Sequence, residues 1–150
     1  MLVKDIMSKR PRAIMPETSI AEAMSLMRFY QIDGLPVVID RKLVGFVQLR
    51  ELLTIFITDN TPRQKRESGF DMKRLQNKYT PIARAAVKQF MRTDRKTAAP
   101  DMSVHEAMEV MLHEHMSRLA VTDGDLLAGV ISLDDVNKAI LGITSTKVAA

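Results

Sequence analysis

Gly129, Ser132 and Asp135 are the residues of this chain whose types and spacing could do chemistry. They lie in Leu127-Ala-Gly129-Val-Ile-Ser132-Leu-Asp-Asp135, an apolar run that breaks at a serine and continues with two acids. A strand that hands over to a helix N-terminus offers free backbone N–H groups and the positive end of a dipole, which suits an anionic, hydroxyl-rich ligand. An ionised carboxylate such as Asp135 can accept from both hydroxyls of a ribose at once, the role an acid plays in dinucleotide-binding folds. Gly129 has no side chain, so a flat base could approach the strand backbone there. Ser132 could donate to a phosphate or ribose oxygen. The same Ser-x-x-Asp spacing is also that of a helix capping pair, which needs no ligand. Taken without the rest of the chain, these residues favour the cap.

A chain of 150 residues with no cysteines and a net charge of +4 is long enough for an ordinary core and holds no disulfide or thiolate metal site. Apolar content and charge are those of a globular protein. Met1 to Met7 contains no apolar signal segment, and the longest apolar run, Leu52 to Ile57, is too short to span a bilayer. The expectation is a cytoplasmic protein with no membrane partner.

What must position the candidate residues is an internal repeat. Val3-Lys4 returns as Val87-Lys88, Met7 as Met91 and Pro16 as Pro100. Ser19, Glu22, Ala23, Met24 and Met27 return as Ser103, Glu106, Ala107, Met108 and Met111. Leu35, Val37, Leu43, Gly45 and Leu49 return as Leu119, Val121, Leu127, Gly129 and Leu133. The offset stays at 84 residues throughout with no gap. This is a tandem duplication.

Each copy predicts the unit β-α-β-β-α. Short extended pieces, Ala13–Met15 and Thr97–Ala99, precede Pro16 and Pro100. Ser19 with Glu22, and Ser103 with Glu106, fit capping boxes, and Ile20, Ala23, Met24, Met27 and Val104, Ala107, Met108, Met111 form the apolar stripes that follow. Hairpins are expected from Leu35–Ile39 with Leu43–Val47 across Asp40-Arg41-Lys42, and from Leu119–Val121 with Leu127–Ile131 across Asp123-Gly124-Asp125. Second helices are expected at Arg50–Ile57 and Asp134–Leu141. The division is repeat one at 1–57, a connector at 58–84, repeat two at 85–143 and a tail at 144–150. In the connector, Thr61-Pro62 and Thr80-Pro81 read as punctuation, with Phe70, Met72, Leu75 and Tyr79 at loose helical spacing between them.

This combination resembles a tandem CBS-domain pair, a Bateman module, over nearly the whole chain outside the connector and tail. The resemblance implies an α/β (α+β) fold of two repeats packed about a pseudo-two-fold axis with two clefts between them. It implies no catalysis, no required cofactor, and an adenosine-containing regulatory ligand such as AMP, ADP, ATP or S-adenosylmethionine. One cleft would join Val130, Ser132 and Asp135 of the second copy to Ser8, Ala13 and Ile32 of the first, the last two walling the base. Core packing is the competing role of Ala13 and Ile32. The other cleft would hold Phe46, Gln48, Glu51 and Arg118. There the turn reads Gly45-Phe-Val-Gln48-Leu-Arg-Glu51, with glutamine for the family's serine or threonine and glutamate for its aspartate. Glu51 could still reach a ribose, and Arg118 matches a position where some members use arginine on phosphate.

The functional expectation is therefore a regulatory module that acts in trans on an unidentified protein partner and pairs as a homodimer. The competing expectation is a structural interaction module with empty clefts, which the Gln48/Glu51 turn favours. Nucleic acid is a weaker candidate partner. Arg63, Lys65, Arg66, Lys73, Arg74, Lys78 and Arg84 make the connector basic, but it lacks the interleaved aromatics of a single-strand platform. Two basic loops, Lys9-Arg10 with Arg12 and Arg95-Lys96, could neutralise phosphates or simply face solvent. His113 and His115 are two apart and do not share a helical face, and no cysteine or close acid pair completes a set with them or with His105, so no metal site is expected.

Overall fold

The computed structural model describes residues 1–57 and 72–142. Its helices are α1 (Val3–Ile6), α2 (Ile20–Tyr30), α3 (Leu49–Ile55), α4 (Met72–Ala83), α5 (Val104–His113) and α6 (Leu133–Ile140). Its strands are β1 (Gly34–Ile39), β2 (Lys42–Gln48), β3 (Arg118–Asp123) and β4 (Leu126–Ser132). A 3₁₀ turn covers Val87–Gln89. Among the described residues the fold is the expected α/β pair of repeats. Phe70 and the cluster Arg63, Lys65 and Arg66 lie outside the described residues, as does the tail.

The helix starts follow the serine signals. Ser19 Oγ accepts from Glu22 N at 3.1 Å, and Ser103 Oγ accepts from Glu106 N at 3.1 Å. Only this half of each expected capping box is made among the described residues. Both glutamates are exposed, where water competes for the carboxylate. Pro81 does not punctuate the chain as expected, because α4 runs through it to Ala83. It sits in the final turn, where few backbone bonds remain to be lost, and the Thr80 hydroxyl donates to the Gln76 carbonyl at 3.0 Å.

The hairpins form across tight turns. Asp40 and Arg41 both lie in the left-handed region (φ 49° and 69°), whereas the second turn places Gly124 there (φ 60°). Lys42, expected in the first turn, is the first residue of β2. The sheet order is β1-β2-β4-β3. Ile14 and Ala98 add short parallel pairings to Val37 and Val121.

The hairpins meet at one point. Lys42 pairs with Leu126, its own repeat equivalent. Leu43 N donates to Asp125 O at 3.0 Å, and Leu127 N donates to Arg41 O at 2.9 Å. A residue that pairs with its equivalent lies on the pseudo-two-fold axis, so the axis passes here.

The two cores use matching positions. The first contains Ile14, Ala23, Met27, Leu35, Val37, Val47 and Leu52; the second contains Ala98, Ala107, Met111, Leu119, Val121, Ile131 and Val136. The first turns are exchanged, however. Val3 is buried in the second core and Val87 in the first. Val3 N donates to Met102 O, and Val87 N donates to Thr18 O, both at 2.8 Å. Lys4 pairs with Asp101 at 3.0 Å and Lys88 with Glu17 at 2.9 Å.

The exchange explains both glycines of the turn motif. Ser8 forms an antiparallel bridge with Val130, and Arg92 forms one with Phe46. A Cβ on Gly129 would lie 2.5 Å from the Ser8 carbonyl oxygen and 2.8 Å from Met7 Sδ. A Cβ on Gly45 would lie 2.7 Å from Met91 Sδ. The space expected to admit a flat base at Gly129 is thus taken by the protein's own exchanged segment. Gly129→Ala should lower stability by about 1–3 kcal/mol, because a backbone oxygen must move. Gly45→Ala should cost less, because a flexible methionine tip can give way. Parallel urea titrations of the two variants check this order.

Candidate functional site

The second-copy turn is built by the end of β4 and the first turn of α6. Ser132 is the N-cap, in extended conformation and only 6% exposed. Its Oγ accepts from Asp135 N at 3.1 Å, and Asp135 Oδ2 accepts from Ser132 N at 2.9 Å. This is the complete capping box, found at the turn whose spacing also suits ribose. The cap occupies Oδ2; Oδ1 makes no hydrogen bond among the described residues. The capping reading is therefore realised, and it holds the carboxylate in a fixed orientation.

Ser132 also lines a groove of about 490 Å³ with Ile32, Asp33, Ser117, Arg118 and Asp134. The groove thus joins Ile32 of the first copy to Ser132 of the second. Ser8 reaches the same turn through its backbone bridge to Val130, with Ser8 N donating to Val130 O at 2.9 Å. Ala13 is exposed next to Ile14 and does not line this groove.

The first-copy turn uses different contacts. Gln48 is the N-cap of α3 but makes no side-chain capping bond. Glu51 accepts from Arg95, and both side chains are largely buried, at 20% and 18% exposure. The carboxylate that could have reached a ribose is bound to the protein itself. Arg95 Nε is buried without a partner among the described residues. Phe46 is buried, and it lines a cavity of about 230 Å³ with Arg92, Thr93, Arg95, Lys96 and Thr97. Gln48 lies elsewhere, in a groove of about 440 Å³ with Asp33, Leu53, His115 and Ser117. Arg118 shares the groove of Ser132 and Ile32, not the cavity of Phe46.

Asp33 is the residue that sequence reasoning passed over. It sits opposite Ser117, its repeat equivalent, so this contact also marks the pseudo-two-fold axis. Its Oδ2 accepts from the Ser117 hydroxyl, and its Oδ1 accepts from Arg118 Nε at 3.1 Å. The backbone repeats the symmetry: Leu49 N donates to Asp33 O at 2.8 Å, and Leu133 N to Ser117 O at 2.9 Å. Its position two residues before the first-copy strand start, matched by serine in the second copy, was the available signal.

Of the basic loops, Arg12 and Arg95 are committed to local contacts. Arg12 lies over the Tyr30 ring at 3.9 Å. Arg92 donates to Asp94 at 3.2 Å, which holds the Asp94 carboxyl below its ordinary value and raises the arginine. Stability from a lowered carboxylate is present above its unfolded pKa and lost as pH falls, but this exposed pair adds little. Among the described residues no group of three histidine, aspartate or glutamate side chains could hold a metal ion.

A family model described as CBS domain matches residues 3–58 and again 87–142. The chain belongs to the CBS-domain family. As a tandem CBS pair it is similar to the CBS domain-containing protein YhcV of Bacillus subtilis, at 27% identity over 89% of this chain and 81% of that one. It is also similar to the inosine-5'-monophosphate dehydrogenase of Korarchaeum cryptofilum, at 27% identity over 90% of this chain but 22% of the enzyme. The chain corresponds to the CBS module found in such enzymes and not to a catalytic domain. CBSX2 from Arabidopsis thaliana superposes with a TM-score of 0.79 at 24% identity, covering 97% and 98% of the two chains. CBSX2 solved in complex with AMP superposes with a TM-score of 0.73 at 25% identity, covering 95% and 97%. No helix of the described residues is long and apolar enough to cross a membrane.

Two reciprocal substitutions test the turn chemistry. Ser132→Ala should cost about 0.5–2 kcal/mol through loss of the cap. Gln48→Ser should add a fraction of that, about 0.5–1 kcal/mol, by supplying the cap that α3 lacks. Chemical denaturation of both variants against the parent protein gives the signs.

Proposed function

We propose that this CBS pair is a regulatory ligand-sensing module. It binds an adenosine-containing compound, AMP, ADP, ATP or S-adenosylmethionine, between its two repeats and acts in trans on a partner protein. The observation that carries the reading is Ser132, a buried serine that nevertheless lines an open groove whose other wall, Ile32, comes from the other repeat. The similarity to CBSX2 in complex with AMP supports an adenosine ligand. In this reading Ser132 and Asp135, with Ser8 and Val130 bridged beside them, take the ribose side and Ile32 lies toward the base, while Ala13, expected there as well, lies outside the groove. The reading is of one competent cleft, because Phe46, Gln48 and Arg118, expected together in a second, line three different cavities and Glu51 is held by Arg95.

Such a ligand contacts both repeats, so its affinity differs between arrangements that bring them together and arrangements that part them. That difference is the free energy available to the partner. The oriented Asp135 carboxylate accepts from ribose hydroxyls through its uncapped oxygen, and the protein supplies no covalent chemistry.

A second reading has its own support. The complete cap at Ser132–Asp135 and the Glu51–Arg95 pair both stand without any ligand, as an interaction module with empty clefts requires. Calorimetric and thermal titration with AMP, ADP, ATP and S-adenosylmethionine separates the two. A ligand at a hundred times its dissociation constant should add about 2.7 kcal/mol of stability. Asp135→Asn keeps an acceptor for Ser132 N while removing the charge, and should weaken binding about tenfold. Silence with every adenosine compound would favour the empty-cleft module.

The same reading has the module in the cytoplasm as a homodimer. Ile57, Ile140 and Leu141, exposed apolar residues at the ends of the second helix of each repeat, support a self-association face. Sedimentation equilibrium should give a dimer, and Ile140→Asp should shift it toward monomer.

A further inference from the structure

The groove that holds Ser132 carries two cations and two acids. Arg118 is bound by Asp33 across the pseudo-two-fold axis, through Nε to Oδ1 at 3.1 Å. Asp134 is bound by Lys138 at 3.0 Å. Arg28, exposed at the last turn of α2, is the remaining lining cation and forms no ion pair among the described residues. The groove therefore presents one uncommitted positive charge, Arg28, among its described lining residues.

Arg118 and Asp33 are a one-sided pair. The repeat equivalent of Arg118 is Gly34, and that of Asp33 is Ser117. Duplication therefore does not account for the contact, and both charges are peculiar to their own copy. Asp33 Oδ2 also accepts from the Ser117 hydroxyl, which orients the carboxylate across the axis so that Oδ1 holds the arginine. An arginine so neutralised adds little attraction for a further phosphate, and the neighbouring carboxylate repels one.

From this geometry we infer that the Asp33–Arg118 clasp sets how many phosphates the groove accepts. It selects an adenine nucleoside or its monophosphate and disfavours the di- and triphosphate. The inference rests on the adenosine-binding reading above and names the ligand class within it. Asp33 is a specificity-determining residue through its hold on Arg118, and releasing it hands a full guanidinium charge to the groove.

The experiment compares adenosine, AMP and ATP by isothermal calorimetry on the whole chain at one ionic strength. In the parent protein AMP should bind at least about tenfold more tightly than ATP, the scale of one charge-assisted hydrogen bond. Asp33→Asn keeps an acceptor for the Ser117 hydroxyl and frees Arg118. It should tighten ATP about tenfold while moving adenosine less than about twofold. The double substitution Asp33→Asn with Arg118→Gln should restore the parental order, and unliganded thermal midpoints report whether each variant folds. If Asp33→Asn does not fold, the parental AMP-to-ATP ratio still decides. Equal or tighter parental binding of ATP overturns the inference while leaving the adenosine reading standing. So does an Asp33→Asn variant that changes all three ligands alike. Failure of all three to bind any variant overturns the adenosine reading, and this inference with it.

Discussion

The exchange of first turns is the constraint on which the rest of this structure depends. Val3 completes the second core and Val87 the first, so neither half of the molecule closes its interior with its own residues alone. The exchanged chain then continues as Ser8 and Arg92 beside Val130 and Phe46, adding a backbone bridge to the inner strand of the opposite hairpin. That approach needs bare backbone at Gly129 and Gly45. It fixes the strand-to-helix turns on which Ser132 and Gln48 stand. Core, sheet edge and candidate site are consequently tied to one crossing of the chain.

Around this crossing the two halves keep geometry and part in chemistry. Lys42 meets Leu126 at one point on the axis, and Asp33 meets Ser117 at another. Backbone bonds near both points occur in matched pairs, as duplication requires. The side chains do not match. In one turn a short aspartate folds back onto its own helix start. In the other a longer glutamate reaches Arg95 of the opposing loop, where the equivalent residue of the first copy is Pro11. One methylene and one arginine convert an open groove wall into an internal ion pair. The two turns are equal in backbone and unequal in side-chain chemistry.

The duplicated pattern made most of the fold legible in the sequence. Apolar residues at helical spacing located α2 and α5, and turn residues between β-rich runs located both hairpins, with boundaries moved by one or two residues. Pro81 misled because proline is tolerated in a final helical turn, a matter of position and not of type. Gly129 misled for a different reason. A missing side chain signals close approach, but the approaching group proved to be the carbonyl of Ser8, over a hundred residues earlier in sequence.

The sequence by itself determined the repeat, its register, the element types and the residue types available at each turn, because these depend on local periodicity and on comparison within the chain. It also showed that Ser132 and Asp135 have no true counterparts in Gln48 and Glu51. Only the tertiary structure decided which half's first turn closes which core, and that Glu51 is taken by Arg95. It also separated Arg118 from Phe46 and Glu51 and set it against Asp33. These are contacts between residues far apart along the chain, chosen by how two nearly equivalent units dock. A local pattern supplies the charges that meet at such a dock but does not pair them.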